Sequence, residues 1–191
     1  MITNRILALA ATVAVIATPL LAAPKSMTSR PVEVGGQEML PAKDIVDNAV
    51  NSADHTTLVA AVKAAGLVDT LKGKGPFTVF APTNEAFAAL PAGTVDNLVK
   101  PENKAALTGI LTYHVVAGRY DAHQIQEMIE KGHGSAMLKT VAGGTLTAKM
   151  NGPRNIVIED EKGNVASIST YDVMQSNGVI HVIDKVLMPK M

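Results

Sequence analysis

The sequence predicts an α+β domain whose sheet is antiparallel, on the basis of three observations. Apolar residues recur at helical spacing over about residues 43–129. From residue 137 onwards, short strand-like segments alternate with turn residues. Residues 177–189 are nearly all branched aliphatics and are apolar on both faces of an extended strand. Helices followed by strands are typical of an α+β fold.

The first part of the chain predicts a cluster of helices. Leu58, Ala61, Val62 and Ala65 form one apolar stripe, and Gly66 is suited to end that helix in the left-handed conformation. Further helical segments are predicted at residues 43–51, 101–111 and 121–129, with a possible extra turn at residues 67–71. Asp121 can cap the segment that follows it. These segments form the expected N-terminal helical cluster.

One early strand interrupts the helices. Residues 77–81 are strand-like, Pro82 ends the strand, and Thr83 or Asn84 can cap the helix that follows. The other strands come late in the chain, at residues 137–141, 145–150, 155–159, 165–169 and 171–174. The early strand must cross space to pair with them, and we expect it beside the C-terminal strand.

The C-terminal run predicts the central strand of the fold. It follows an Asn177-Gly178 turn and is stopped by Pro189. A strand that is apolar on both faces is covered on both faces. His181 is therefore predicted to be a buried, neutral imidazole that bonds to backbone or to Asn84.

The N-terminus resembles a secretory signal. Arg5 is followed by an uncharged apolar stretch, a break at Pro19 and small residues. We predict a signal peptide at residues 1–22, a flexible polar lead at 23–41 and one domain at 42–189. An uncleaved N-terminal anchor is the alternative, and the expected location is the periplasm or the medium.

Composition excludes several classes of function. The formal net charge is zero, so no basic excess favours nucleic acid as a partner. The chain has no Cys and no Gly-x-Ser-x-Gly elbow, and its five His lack the spacing of metal ligands. Asp160 and Glu161 are predicted at a charged hairpin tip rather than in a cleft. We therefore predict no enzyme activity, no metal and no cofactor.

Three ordered motifs closely resemble the fasciclin-like domain family. They are TVFAPTNEAF at residues 78–87, LTYHVVAG at 111–118 and the Asn-Gly-Val-Ile-His strand at 177–181. The resemblance covers about residues 44–189 and implies a wedge of β-strands with a helical cluster alongside. Within these motifs Thr83, Asn84, Asn177, Gly178 and His181 are expected to have structural roles.

The resemblance implies extracellular adhesion without catalysis, through a cell-surface or matrix protein or, as a second option, a polysaccharide. Tyr113 and His114 match the family's Tyr-His motif, and Asp172 and Val173 match its Asp-Ile recognition motif, with Val in place of Ile. These four residues are the predicted partner contacts. For His114 a buried structural role is the alternative, and for Asp172 a hydrogen bond within its own turn.

A second hypothesis concerns a different class of protein. The domain could be a soluble carrier or sensor of a small apolar ligand, held between the helices and the sheet. A bound molecule in protein purified from its source would favour the carrier, whereas apo-protein that adheres to cells would favour the adhesion module.

Overall fold

The computed structural model describes residues 31–190. The α-helices of that range are α1 (Ile45–Ala49), α2 (Thr56–Ala65), α3 (Val68–Leu71), α4 (Asn84–Ala88), α5 (Thr94–Leu98), α6 (Lys104–Tyr113) and α7 (Ala122–Lys131). The strands are β1 (Val32–Val34), β2 (Gln37–Met39), β3 (Phe77–Pro82), β4 (Val115–Ala117), β5 (Ser135–Lys139), β6 (Thr145–Asn151), β7 (Asn155–Glu159), β8 (Val165–Gln175) and β9 (Gly178–Ile183). Short 3-10 turns at Ala53–His55 and Pro101–Asn103 precede α2 and α6. The predicted signal peptide lies outside the described residues.

Seven strands form one sheet in the order β4-β3-β9-β8-β7-β6-β5. The α+β class is confirmed, and β9 lies inside the sheet with all six of its residues buried, as predicted. Its pairing with β3 is parallel, whereas every other pair in the sheet is antiparallel. The one parallel pair arises because the early strand reaches β9 only through the long intervening chain, which allows either direction.

The sheet curls so that its two edges nearly meet. Val116 on β4 bridges Thr140 just after β5, and the Val141 N–H donates to the Val115 carbonyl at 2.7 Å. One core lies between most of the helices and one face of this sheet, and a second lies on the inner, curled face, where α7 packs. On β9, Ile180 and Val182 face the first core, and Ile183 faces the second. Each such buried aliphatic side chain contributes about 1.5–3 kcal/mol.

The predicted flexible lead is wrong for residues 32–39. β1 and β2 form an antiparallel hairpin, and Val34 and Met39 are buried in the first core. Gly35 and Gly36 both have positive φ, of 60° and 71°, and make the tight turn of that hairpin. Two buried apolar residues on a short hairpin are too few for a clear alternating pattern.

The two segments predicted at residues 165–169 and 171–174 form a single strand, β8. Its register against β9 shifts between Ile168 and Thr170 and again between Thr170 and Val173. Within the second irregularity Asp172 takes the left-handed conformation, with φ of 56°. A β-bulge bends a strand and redirects a side chain without ending the pairing, which explains why the sequence suggested two pieces.

The predicted helix ends are confirmed at three sites. Gly66 ends α2 with φ of 73°. Asp121 caps α7, where its side chain and that of Gln124 form a reciprocal capping box. The Thr83 hydroxyl accepts the Ala86 N–H at the start of α4. No helix within residues 31–190 has both the length and the apolar character required to span a membrane.

Candidate functional site

Tyr113 lies in the interior at the end of α6. Its ring is fully buried, its hydroxyl donates to the Thr145 carbonyl at 2.9 Å, and it accepts the Glu161 N–H at 3.1 Å. Burial raises the pKa of the phenol. Because both hydrogen bonds are internal, this side chain ties α6 to the hairpins of the curled sheet and presents nothing to a partner.

His114 caps the same helix and is 3% exposed. Its Nδ1–H donates to the Ile110 carbonyl at 2.8 Å, and its Nε2 accepts the Leu187 N–H at 2.9 Å. This pattern fixes one neutral tautomer, because a proton on Nε2 would face another donor. Burial lowers the pKa of His114 from 6.5 to about 4. His114 therefore has the buried structural role that was the alternative to a partner contact.

Asp160 lies in the turn between β7 and β8, at the predicted hairpin tip, but its carboxylate is buried. The residue is 5% exposed and accepts hydrogen bonds from the N–H groups of Lys162, Asn164 and Met188. Burial opposes ionisation, but these bonds and the Asn164 amide together lower the pKa of Asp160. The Asp-x-x-Gly-Asn spacing of residues 160–164 is the signal that could have shown that the carboxylate accepts hydrogen bonds from its own turn.

His181 is fully buried on β9 and bonds only to backbone. Its Nε2–H donates to the Tyr120 carbonyl at 2.9 Å, and its Nδ1 accepts the Asp172 N–H at 3.3 Å. The ring stacks on Phe80, with 5.7 Å between centroids. Burial lowers the pKa of His181. The hydrogen bond to Asn84 that the sequence offered as an alternative is absent.

Asn84 instead ties α4 to the start of α2. Its side-chain oxygen accepts the Thr57 N–H at 3.0 Å, and its amide donates to the Ala53 carbonyl at 2.8 Å. Together with the Thr83 cap, the Asn84 side chain holds the strand-turn-helix motif in place at the starts of α4 and α2. Thr83 and Asn84 lie away from His181, because β3 lies between α4 and the curled side of the sheet.

Asn177 and Gly178 fix the start of β9. The Asn177 side chain is buried, accepts the Ile45 N–H at 3.1 Å and donates to the carbonyls of Leu71 and Gly73 at 2.7 and 3.0 Å. Gly178 lies directly against β3, with no room for a side chain. The Asn-Gly pair therefore joins α1, α3 and β3 to the central strand.

Asp172 and Val173 lie side by side but have different surroundings. Val173 is 1% exposed and belongs to the first core. Asp172 is half-buried, and its carboxylate accepts the Ala122 N–H at 2.7 Å, at the first residue of α7. A carboxylate at a helix N-terminus is stabilised by the unpaired N–H groups and the helix dipole.

Three of the four predicted partner contacts are buried, whereas a partner contact at the half-buried Asp172 stays a prediction. Tyr113, His114 and Val173 are interior, and Asp172 uses its carboxylate within the domain. They do not converge on one exposed surface in the folded chain. A motif in a single sequence cannot distinguish residues on a binding surface from residues that make interior hydrogen bonds.

Two buried histidines of residues 31–190 have both of their ring nitrogens engaged in hydrogen bonds. The ring nitrogens of His114 and both nitrogens of His181 are occupied by backbone groups, so neither ring is available as a base. No cluster of three or more His, Asp or Glu side chains in this range could hold a metal ion.

An apolar cavity of about 70 Å³ lies between the helices and the sheet. Its walls come from α1, α2, α3, α6 and the strands β3, β8 and β9. They include Leu58, Val62, Leu111, Val173 and Ile180. His55 also lines it, is 3% exposed and donates or accepts one bond with the Ser52 hydroxyl at 2.9 Å. The cavity corresponds in position to the ligand site of the second hypothesis.

The most exposed large apolar side chain of the described residues is Met137, at 76%. It lies on β5, a terminal strand of the sheet. A groove between the end of α7 and β5 and β6 adjoins it, lined by Met128, Lys131 and Lys149 among others. Along residues 135–139 this strand pairs only with β6, so one backbone edge is open there.

The curled seven-stranded sheet has a helical cluster alongside it, and the motif residues Tyr113, His114 and His181 lie in its interior. The fasciclin domain model matches residues 53–189, and the chain belongs to the fasciclin domain family. Its structure is similar to that of a FAS1 domain pair from the insect cell adhesion molecule Fasciclin I, with a TM-score of 0.68 and 20% identity. The match covers 78% of this chain and 52% of that one.

Two relatives indicate the range of the family. The chain is 51% identical over 150 residues to protein sll1483 of Synechocystis, covering 78% of this chain and 76% of the relative. It is 37% identical over 150 residues to the transforming growth factor-beta-induced protein ig-h3 of Sus scrofa. That match covers 78% of this chain but 20% of the relative, so the chain corresponds to one segment of a much longer protein.

Proposed function

We propose that the domain is a non-catalytic interaction module that binds a cell-surface or matrix macromolecule after export to the periplasm or the medium. The observation that carries the proposal is the exposed Met137 on the open edge of β5. The similarity to a domain pair from a cell adhesion molecule supports the same class of function. The signal-like N-terminus supports export.

A protein is the partner that this surface fits best. An open strand edge can pair with an extended segment through backbone hydrogen bonds, and an exposed Met adapts its shape to the side chains that it meets. Polysaccharide is the less favoured partner, because the chain has no Trp and only three Tyr and three Phe to stack on sugar rings.

Replacing Met137 with Glu tests the proposed contact surface. We expect cell or matrix binding to weaken about tenfold or more, since a charge would replace an apolar contact at the centre of the interface. The melting temperature should change little, because the side chain is exposed. Adhesion of purified protein to cells or immobilised matrix, with thermal unfolding measured in parallel, gives both readouts.

Val165→Glu is the matched control for that experiment. Val165 is 39% exposed on β8, which β7 and β6 separate from the β5 edge in the strand order of the sheet. The same apolar-to-acidic change there should leave binding unaltered. Equal binding by Met137→Glu and the unmodified protein would disprove the proposed surface.

Asp172→Ala separates a structural role from recognition. We expect a loss of about 1–2 kcal/mol of stability, from the hydrogen bond to Ala122 and from an Ala in the left-handed conformation. Asp172→Asn should lose less, since Asn tolerates that conformation and keeps an acceptor. Binding per folded molecule should remain the same in both variants. A selective loss of binding at full stability would restore Asp172 as a partner contact.

The second candidate function is carriage of a small apolar ligand, and the cavity between helices and sheet is the observation that favours it. This function does not require the β5 edge. Mass spectrometry under native conditions on protein purified from its source tests it directly, since a carrier would retain a bound molecule.

A further inference from the structure

We infer that the open edge of β5 binds an extended acidic segment of a partner protein, in which an apolar residue has a carboxylate two residues away on each side. The inference rests on the proposed interaction function and adds the chemistry of the segment that is bound. Met137 supplies the apolar contact, and Lys139 supplies the charge that selects an acidic partner.

The backbone of Met137 is available for pairing with another strand. The Thr140 N–H donates to the Gly144 carbonyl, on the side of β6. The Val141 N–H donates to the Val115 carbonyl, on the opposite side. Because successive residues of a strand direct their backbone groups to opposite sides, those of Met137 point the same way as those of Val141, away from β6. In the described part of the chain no strand pairs with Met137 on that side. An added strand can therefore bond to its N–H and its carbonyl.

The surface around Met137 is basic, although the formal net charge of the chain is zero. Residues 131–158 contain no acidic residue and four basic ones, namely Lys131, Lys139, Lys149 and Arg154. Lys131 pairs with Glu127 at 3.2 Å, and Lys149 pairs with Glu159. Lys139 is exposed on the same face of β5 as Met137, and no residue within 31–190 forms an ion pair with it. Its charge is therefore complementary to a carboxylate of a partner.

The same lysines disfavour a second copy of this chain at the edge. Lys on an edge strand is a common means of preventing edge-to-edge pairing. Two β5 strands paired about Met137 would bring Lys139 and Lys149 of both copies onto one face of the joined sheet, where like charges repel. A segment with carboxylates removes that repulsion, so the edge selects it against neutral or basic segments.

The spacing of the carboxylates follows from the register of the sheet. Side chains on one face of a strand recur at every second residue. When one residue of the added strand lies opposite Met137, the residue two positions away lies opposite Lys139. The residue two positions in the other direction lies opposite the small Ser135, beyond which Lys149 follows on β6. The pattern Glu-x-Val-x-Glu is symmetrical, so it meets this arrangement in either direction of the added strand.

A titration of the folded protein with three peptides tests this site. The first peptide is Thr-Glu-Thr-Val-Thr-Glu-Thr, and the other two have Gln or Lys in place of Glu. We expect the Glu peptide to bind about threefold to tenfold more tightly than the Gln peptide, and the Lys peptide to bind most weakly. Amide chemical shifts should change at Ser135–Lys139 and on β6. Exchange of the Met137 amide hydrogen should slow on binding, whereas that of Leu138, which faces β6, should not change.

Lys139→Gln tests the role of charge in this selection. It should lower the ratio of the Glu-peptide affinity to the Gln-peptide affinity about threefold and leave the affinity for the Gln peptide as it was. Lys74→Gln is the matched control, because it removes the same charge from an exposed position between α3 and β3, and the ratio should not change. Both side chains are exposed, so both variants should fold. An unchanged ratio in Lys139→Gln would overturn the selection of acidic segments.

Other outcomes identify a different occupant of the edge. Shift changes without slower exchange at Met137 would contradict strand addition. Equal binding of dextran sulfate at the same residues would assign the edge to an anionic polysaccharide and overturn the inference. Dimers of the free protein that are lost in Met137→Glu would overturn it in favour of a second copy.

Adhesion to cells separates this inference from the function on which it rests. Adhesion that requires Met137 but is unaltered in Lys139→Gln would retain the interaction module and overturn the acidic segment. Adhesion that does not require Met137 would overturn the proposed function at this surface, and the peptide titration would still decide whether β5 accepts an acidic strand.

Discussion

Acidification from pH 6.5 to pH 4 is expected to destabilise the domain by about 3 kcal/mol through His114 alone. Its pKa falls from 6.5 in the unfolded chain to about 4 in the folded domain. Each unit of difference corresponds to 1.36 kcal/mol. Between these two values the unfolded state binds a proton that the folded state does not, so stability rises with pH. Most of the loss falls between pH 6.5 and pH 4, and it levels off below pH 4 as the folded state also binds the proton.

Burial also lowers the pKa values of His55 and His181, so both add to the loss in the same direction. Asp160 acts differently. Its lowered pKa makes its ionised form stabilising, and that contribution is lost only as the pH falls below the ordinary range of an Asp carboxyl. The interval above pH 4 therefore reports mainly on the histidines.

Urea unfolding at a series of pH values measures this effect. His114→Gln should be less stable at neutral pH, because the Ile110 carbonyl and the Leu187 N–H lose the well-placed hydrogen bonds that they make with the His114 ring. Its free energy of unfolding should nevertheless depend less steeply on pH. Between pH 6 and 5 the number of protons taken up on unfolding should be smaller by about one. His123→Gln is the control, since the His123 side chain is 80% exposed. A slope that is the same in His114→Gln and the unmodified protein would contradict the assignment.

The sequence was most informative where a pattern depends on burial alone. The C-terminal run is apolar on both faces, and β9 is covered on both sides by the two cores. Gly66 and Asp121 marked helix ends because their chemistry is local. The hairpin at Val32–Met39 was missed because its burial depends on the first core, which no local pattern reveals.

The candidate contacts were predicted less well, for a related reason. Tyr113, His114 and Asp172 are expected as contacts because they match recognition motifs of the family, and not because of any pattern in this chain. Each of them instead bonds to a residue distant in sequence, namely Thr145, Leu187 and Ala122. Such pairs depend on tertiary structure, and a single sequence gives no sign of them. Met137 was not singled out either, because an exposed apolar residue on a strand is recognisable only when the edge of the sheet is known.

Gly178→Ala is expected to destabilise the domain by about 3 kcal/mol, the upper end of the usual range for overpacking. A Cβ on Gly178 would lie 2.2 Å from the carbonyl oxygen of Phe77 and 2.9 Å from Cδ1 of Ile45. The first contact is with backbone, which cannot rotate away. Relief requires β3 and β9 to separate at Phe77 and Gly178, where their parallel pairing begins.

The consequence of this change should reach beyond the local contact. Asn177 precedes Gly178 and holds α1 and α3 through three hydrogen bonds, so displacement of the strand start would weaken all of them. Hydrogen exchange should therefore show faster opening of α1 and α3 as well as of β3. Protection should be retained in the β5–β6 hairpin, which lies at the far end of the sheet.

Gly109→Ala is the matched control for this substitution. Gly109 lies within α6, and a Cβ there would meet nothing within 4 Å. Ala is favoured over Gly in a helix by about 1 kcal/mol, so this variant should be more stable than the unmodified protein. The same added methyl group is thus expected to have opposite signs at two sites, which thermal and urea unfolding can measure. If Gly178→Ala and Gly109→Ala changed stability in the same direction, this would contradict the conclusion that the close packing of β3 against β9 requires glycine at position 178.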